Sequence, residues 1–314
     1  MAKNSNKITR TKNNKIALLM PYFGKLPIWF DLYLYSCSKN SFIDFIFFTD
    51  CDIPSKTYTN TIFHQISFAE YCALISQKLN IKFAPQSPYK LCDVRPFYGI
   101  VHADFLQDYD FWGYGDVDVV YGDLTLIVTP RRLAKYDLLS SHADRVAGHF
   151  TIVKKQSSFT TICWSIKDWA KRLKEEYVYG IDEHDFTELI HPWNKYIWKA
   201  HRIVSKIYKI HPYKFFLIPN LFFNLISRRY IKEFHTTPLP QNGEKWTYDI
   251  VSGKICTPTH RKIPYLHFLF FKKTPFWNPE HFWRDDFWLV RIQNYAEACG
   301  RIIFDNQKVV YIKQ

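Results

Sequence analysis

Three pairs of carboxylates in this 314-residue chain have the spacing Asp-x-Asp: Asp50 and Asp52, Asp108 and Asp110, and Asp116 and Asp118. Only the third lies in apolar and aromatic surroundings, with Phe111-Trp112-Gly113-Tyr114-Gly115 before it and Val119-Val120-Tyr121 after it. Residues two apart on an extended strand face the same side. Two ionised carboxylates on one side of a buried strand end are costly unless a cation meets them. Oxygen ligands suit hard divalent ions such as Mg²⁺ or Mn²⁺, which are often shared with substrate phosphates. Asp108 and Asp110 stand in a polar approach that reads as a loop. Asp50 and Asp52 follow an apolar strand and remain an alternative metal pair. A second acidic group, Asp182-Glu183-His184-Asp185, crowds three carboxylates into four residues. They repel unless one holds a proton or a cation is near. Asp185 also suits the cap of a helix starting at Phe186.

The elements around these residues follow from periodicity. Lys15 to Met20 is an apolar run, as expected of a central strand buried on both faces. Pro27 can open a helix, with Ile28 to Leu34 as its apolar stripe and Asn40 as its close. Ile43 to Phe48 is a second apolar strand. Strand, helix and strand in succession predict a right-handed crossover in a parallel sheet. Ligands in such sheets bind outside the carboxyl ends of the strands. That places Pro21, Tyr22, Phe23 and Asp50 at one crevice. There is no G-x-G-x-x-G and no G-K-[ST], which excludes the usual dinucleotide and P-loop fingerprints. Ser67 and Glu70 form a capping box for a helix ending near Leu79. Pro85 and Pro88 interrupt the chain before a helix from Tyr89 to Leu106, itself broken at Pro96. A short basic helix, Pro130 to Tyr136, precedes strands at Asp137 to Ser140 and Gly148 to Val153. Phe159 to Leu173 has the spacing of an amphipathic helix with Trp164 and Trp169 inward. Trp246 to Lys254 predicts a hairpin turning at Ser252-Gly253. Pro264 to His267 predicts a strand. The chain closes with a helix to Ala298, stopped by Gly300, and two strands about Asp305-Asn306.

Composition narrows the class. Hydrophobic residues make up 47% of the chain, which is that of a globular protein, and aromatics 18%, so large rings dominate its core. The net charge of +13 implies an anionic partner: nucleic acid, a membrane surface or a phosphorylated substrate. Seven cysteines without C-x-x-C spacing read as thiols of a reducing compartment. No apolar run reaches the ~18 residues of a membrane span, and a cytoplasmic location is expected. Residues 1–14 are expected to form a disordered basic tail. The segment 192–233 interleaves Trp193, Tyr196, Trp198 and Phe222 with Lys195, Lys199, Arg202 and Lys206. Such a stretch suits binding to an anionic membrane surface; ordinary core packing with a solvated basic face is the other reading.

The run Lys90-Leu91-Cys92-Asp93-Val94-Arg95, followed by Tyr109 to Asp118 and Gly122-Asp123-Leu124, resembles nucleotide-sugar glycosyltransferases of the GT-A fold. The likeness is greatest to bacterial glycosyltransferases of surface-polysaccharide loci, more distantly to retaining galactosyl- and glucosyltransferases, and covers about Lys15 to Lys273. The resemblance implies an α/β fold of GT-A (Rossmann-like) type, a mixed sheet flanked by helices, in one domain over 15–314. It implies a nucleoside diphosphate sugar as donor, with a UDP-sugar expected, and a glycan or lipid-linked acceptor. Asp116 and Asp118 would hold the metal, with His267 as third ligand. Imidazole there suits Mn²⁺ better than Mg²⁺. The first crevice would take base and ribose, and Lys90, Asp93 and Arg95 would contact the donor. Arg95 is the better phosphate ligand because its fork is bidentate. His149 would lie beneath the donor sugar. Asp182 and Glu183 would face sugar hydroxyls, or supply a general base if the reaction inverts configuration. The relatives' glycine after the histidine is replaced by Phe270, so either Lys272 or Lys273 could take the phosphate. A metal-dependent nuclease or nucleic-acid-binding protein also fits the charge, but no RRM, helix-turn-helix or zinc pattern accompanies it. A binding protein that kept the fold without its chemistry is the third class.

Overall fold

A computed structural model describes residues 14–142, 145–191, 245–257, 259–268, 288–305 and 308–314, together with Tyr196, Lys199 and Ile203. The expected tail up to residue 13, nearly all of the basic aromatic segment 192–233, and both Lys272 and Lys273 lie outside the described residues.

The chain runs β1 (Ile16–Pro21), α1 (Phe30–Ser38), β2 (Ile43–Thr49), β3 (Thr61–Gln65) and α2 (Phe68–Leu79). A 3-10 helix (Pro88–Phe97) leads into α3 (Tyr98–Val101), β4 (Phe111–Gly115), β5 (Val119–Tyr121), α4 (Pro130–Lys135), β6 (Leu138–Ser140) and β7 (Phe150–Lys154). Then come α5 (Trp169–Lys174), α6 (Asp185–Ile190), β8 (Trp246–Asp249), β9 (Lys254–Cys256), β10 (Lys262–Ile263), β11 (Tyr265–His267), β12 (Gly300–Phe304) and β13 (Val309–Lys313).

The fold is mixed α/β. Its main sheet has six strands in the order β3-β2-β1-β4-β7-β6. The first four neighbours pair in parallel, and β7 and β6 add antiparallel pairings. The β1 side chains alternate between two cores: Ala17 and Leu19 pack on one side, Ile16, Leu18 and Met20 on the other. Both faces are therefore covered, and an unbroken apolar run is what such a strand requires. Helix α2 and the 3-10 helix cover the first face. Helix α1 covers the second with Tyr33 and Leu34, while its Leu32 and Tyr35 belong to a third core on the five-stranded sheet β10-β9-β8-β12-β13. This is why seven of its nine residues are buried and its stripe is weak. A two-stranded ribbon, β5 with β11, lies between these cores.

Several local expectations change. Helix α1 starts at Phe30, not Pro27: residues 28–29 form a turn in which the Phe30 amide donates to the Pro27 carbonyl at 2.9 Å, and the Trp29 indole donates to the Val117 carbonyl at 2.8 Å. The segment after Pro88 winds as a 3-10 helix, since Pro96 has no N–H to give an α-helical ladder. Pro88 opens this helix rather than breaking it, with Ser87 as cap. The expected helix from Phe159 to Leu173 becomes two 3-10 turns and α5, divided at Asp168, whose φ is 54°. Asp185 is the first residue of α6 and not its cap; its carboxylate takes both amino groups of Arg172 at 2.6 and 2.7 Å. Residues 288–298 hold no helix, and Gly300 opens β12 at φ +135°, where a side chain would meet the Ile312 carbonyl. The Ser67–Glu70 capping box, the 246–256 hairpin and the closing pair of strands form as expected. None of the seven cysteines is in a disulfide. Among the described residues no helix is long and apolar enough to cross a membrane.

Candidate active site

In the main sheet β1 sends the chain to β2 on one side and has β4 on the other. Such a switch of direction opens a crevice at the carboxyl ends of the two strands. A cavity of about 380 Å³ lies there. Pro21, Tyr22 and Phe23, which follow the β1 core residues, line one wall, and Arg95, Asp116 and Asp118 another. Asp50 is exposed and does not line it. Its carboxylate instead accepts from the Gly24 amide at 2.8 Å and so fixes the loop that carries Tyr22 and Phe23.

The two aspartates are not on a strand. β4 ends at Gly115, and Asp116 to Asp118 form a bend before β5 in the ribbon. The pleat thus does not set their common side; the bend does, held by Trp29 on Val117. Cross-strand pairing then delivers the third group. His267 on β11 stands opposite Val119 on β5, and the Phe268 amide donates to the Asp118 carbonyl at 3.0 Å. His267 Nε2 comes within 3.7 Å of Asp118 Oδ2, both residues being buried. One ligand atom each from Asp116, Asp118 and His267 lies within 4.8 Å of the others.

His149 is buried behind this group rather than in the cavity. Its ring stacks on His267 with centroids 4.0 Å apart, and its Nε2 is 3.0 Å from both Ser141 Oγ and Tyr265 Oη. Its ring packs face to face against that of His267.

Arg95 joins the bend to the acidic cluster. One arm of its fork pairs with Asp116 and the other with Asp182 at 2.8 Å. Burial pushes the Asp182 carboxyl up to about 7, against the pull of Arg95 and with the help of neighbouring Glu183. Glu183 goes the other way. Burial opposes its charge, but Arg145 at 3.3 Å and the Gly148 amide at 3.1 Å outweigh burial and hold it below the usual carboxylate range.

Lys90 and Asp93 do not reach the cavity, which corrects the expectation that they touch a donor. Lys90 donates to Asp93 at 2.9 Å, to the Arg172 carbonyl at 2.8 Å and to the Tyr177 carbonyl. Asp93 accepts from the Tyr179 and Ile181 amides, each at 2.9 Å. All the polar capacity of this pair is spent on the segment leading to Asp182. Trp29 and Arg145 are residues of this site that the spacing of the sequence did not disclose: Trp29 donates to the Val117 carbonyl and Arg145 pairs with Glu183. Trp29 looked like part of a helix stripe, and Arg145 has no local signal at all.

A switch-point cleft with two carboxylates and a guanidinium at its wall, and an imidazole close behind the carboxylates, defines a mixed α/β protein with a candidate metal and anion site. Residues 18–292 match the sequence model of DUF6625, a family of unknown function, and the chain belongs to that family. No curated protein matches it. Among solved structures it is similar to the glycosyltransferase GlyE of Streptococcus pneumoniae TIGR4, with 13% identity, 73% of this chain and 56% of that chain covered, and a TM-score of 0.32. The apo form of GlyE gives 16% identity, 58% and 44% coverage, and a TM-score of 0.29. The chain thus spans about half the length of these structures.

Proposed function

We propose that this protein is a metal-dependent glycosyltransferase of GT-A type, transferring a sugar from a nucleoside diphosphate sugar, a UDP-sugar, to a glycan or lipid-linked acceptor in surface-polysaccharide synthesis. The observation that carries this reading is the convergence of Asp116, Asp118 and His267 beside a cavity at the carboxyl ends of β1 and β4. Two carboxylates and an imidazole are a fitting donor set for Mn²⁺, and less so for Mg²⁺. Such an ion, when bound, neutralises the departing diphosphate as a Lewis acid.

The chain's own residues do the rest. The loop of Tyr22 and Phe23, steadied by Asp50, offers aromatic surface to a base. Arg95 supplies a fixed positive charge to the diphosphate, and Lys272 or Lys273 would add another. His149, itself within hydrogen-bond distance of Tyr265, stacks on the His267 ring. Glu183, kept ionised by Arg145, and Asp182, poised at about 7, are the groups for sugar hydroxyls or for a general base. The segment 192–233 would meet the acceptor.

A panel of radiolabelled UDP-, GDP- and dTDP-sugars incubated with the protein and Mn²⁺ tests this. Mn²⁺-dependent release of sugar from one donor class is expected, slow without acceptor and lost in Asp118→Ala. Absence of cleavage and of binding across the panel would overturn it.

A further inference from the structure

We propose that Arg95 is a latch that makes metal capture and diphosphate capture two halves of one exchange. The proposal rests on the metal reading of Asp116, Asp118 and His267. Both arms of the Arg95 fork are spent on carboxylates, Asp116 on one side and Asp182 on the other. The side chain is 13% exposed and sits 5.8 Å from the Tyr114 ring centroid. Gly148 lies close on another side: a Cβ there would stand 2.5 Å from Nη1. The guanidinium is thus held between Asp116, Asp182, Tyr114 and Gly148, and faces the cavity that it lines.

Asp116 is also one of the three residues that can hold a cation. A guanidinium and a divalent ion compete for the same negative charge and repel each other across a short distance. With Arg95 on Asp116, the three-residue site attracts a cation weakly. A diphosphate offers the fork a denser anion than a carboxylate. When it draws Arg95 away, Asp116 is returned in full to the cation. The site would thus stay nearly metal-free until a nucleoside diphosphate arrives. Linkage makes the effect reciprocal: whatever removes Arg95 from Asp116 strengthens cation binding, and whatever removes Asp116 from Arg95 strengthens anion binding.

Diphosphate oxygens can ligate a metal directly, so the deciding measurement uses Mn²⁺ alone, followed by electron paramagnetic resonance. Arg95→Gln, which loses the charge while staying polar, should bind Mn²⁺ about tenfold tighter than the wild type. Arg95→Lys keeps the charge and should stay within about threefold. Asp118→Ala should bind none. In the reciprocal arm, calorimetry without metal should find UDP bound more tightly by Asp116→Asn than by the wild type, which keeps the proposal testable if the Arg95 variants do not fold. If Arg95→Gln binds Mn²⁺ equally or more weakly while Asp118→Ala still abolishes binding, Arg95 supports the ligand and the latch is wrong. If Mn²⁺ binds neither the wild type nor Arg95→Gln, the metal reading falls, and the latch with it.

Discussion

Replacing Lys90 by methionine removes one buried charge and leaves its counter-ion behind. The Lys90 and Asp93 side chains are 1% and 0% exposed. The wild-type ammonium meets Asp93 at 2.9 Å, the Arg172 carbonyl at 2.8 Å and the Tyr177 carbonyl. Methionine fills much the same volume, so the packing term is small. What remains is a buried Asp93 carboxyl held only by the Tyr179 and Ile181 amides, plus two carbonyls that have lost a donor. Breaking a buried pair from one side costs ~3–5 kcal/mol, a large part of the ~5–15 kcal/mol of a typical domain. Urea unfolding near neutral pH should show that loss as a lower midpoint at unchanged slope. The double variant Lys90→Met with Asp93→Asn should lose less than the sum of the two single changes, because each partner's penalty depends on the other. A loss below ~1 kcal/mol for Lys90→Met would refute the argument that burial, rather than donor contact, explains this pair.

Two further outcomes are expected. Asp182 has a folded pKa of about 7 against an ordinary 3.8, so below the lower value both states hold the proton, and between the two only the folded one does. Stability from this group is full at low pH and lost as pH rises through about 7. Asp182→Asn should therefore raise the melting temperature near pH 8 more than near pH 4, and equal shifts at both would contradict the burial argument. The basic aromatic stretch should carry the protein to anionic vesicles at low salt, each cation contributing ~1 kcal/mol. Changing Lys195, Lys199, Arg202 and Lys206 to Gln should release it in co-sedimentation, and wild-type protein left in the supernatant at low salt would dismiss the idea.

Local signals were the legible ones. The apolar β1 and β2, and the Ser67–Glu70 box that starts α2, announce themselves within a few residues. Strand β3 did not, because Thr61–Gln65 is a half-exposed edge with little apolar content. The helix expected after Phe159 failed on backbone conformation, with 3-10 turns up to Ser165, an extended Ile166 and a left-handed Asp168, none of which side-chain periodicity reports. At the site, Asp116 and Asp118 stood out by their apolar flanks. Their meeting with His267 depends on the register of β5 with β11, a long-range pairing. Lys90 and Asp93 looked alike in kind to Arg95, five and two residues before it on one helix. Only packing separates the one that lines the cavity from the two that are buried beneath the acidic segment.

The central claim is that Asp116, Asp118 and His267 hold a cation that in turn holds a nucleoside diphosphate. Calorimetric titration of UDP into the folded protein, with Mn²⁺ and then with a chelator, tests it most directly. UDP should bind tightly with Mn²⁺, much more weakly with the chelator or in Asp118→Ala, and with strongly reduced affinity in His267→Ala. UDP affinity that is unchanged by the chelator or by Asp118→Ala would contradict the claim and turn attention to Asp50 and Asp52.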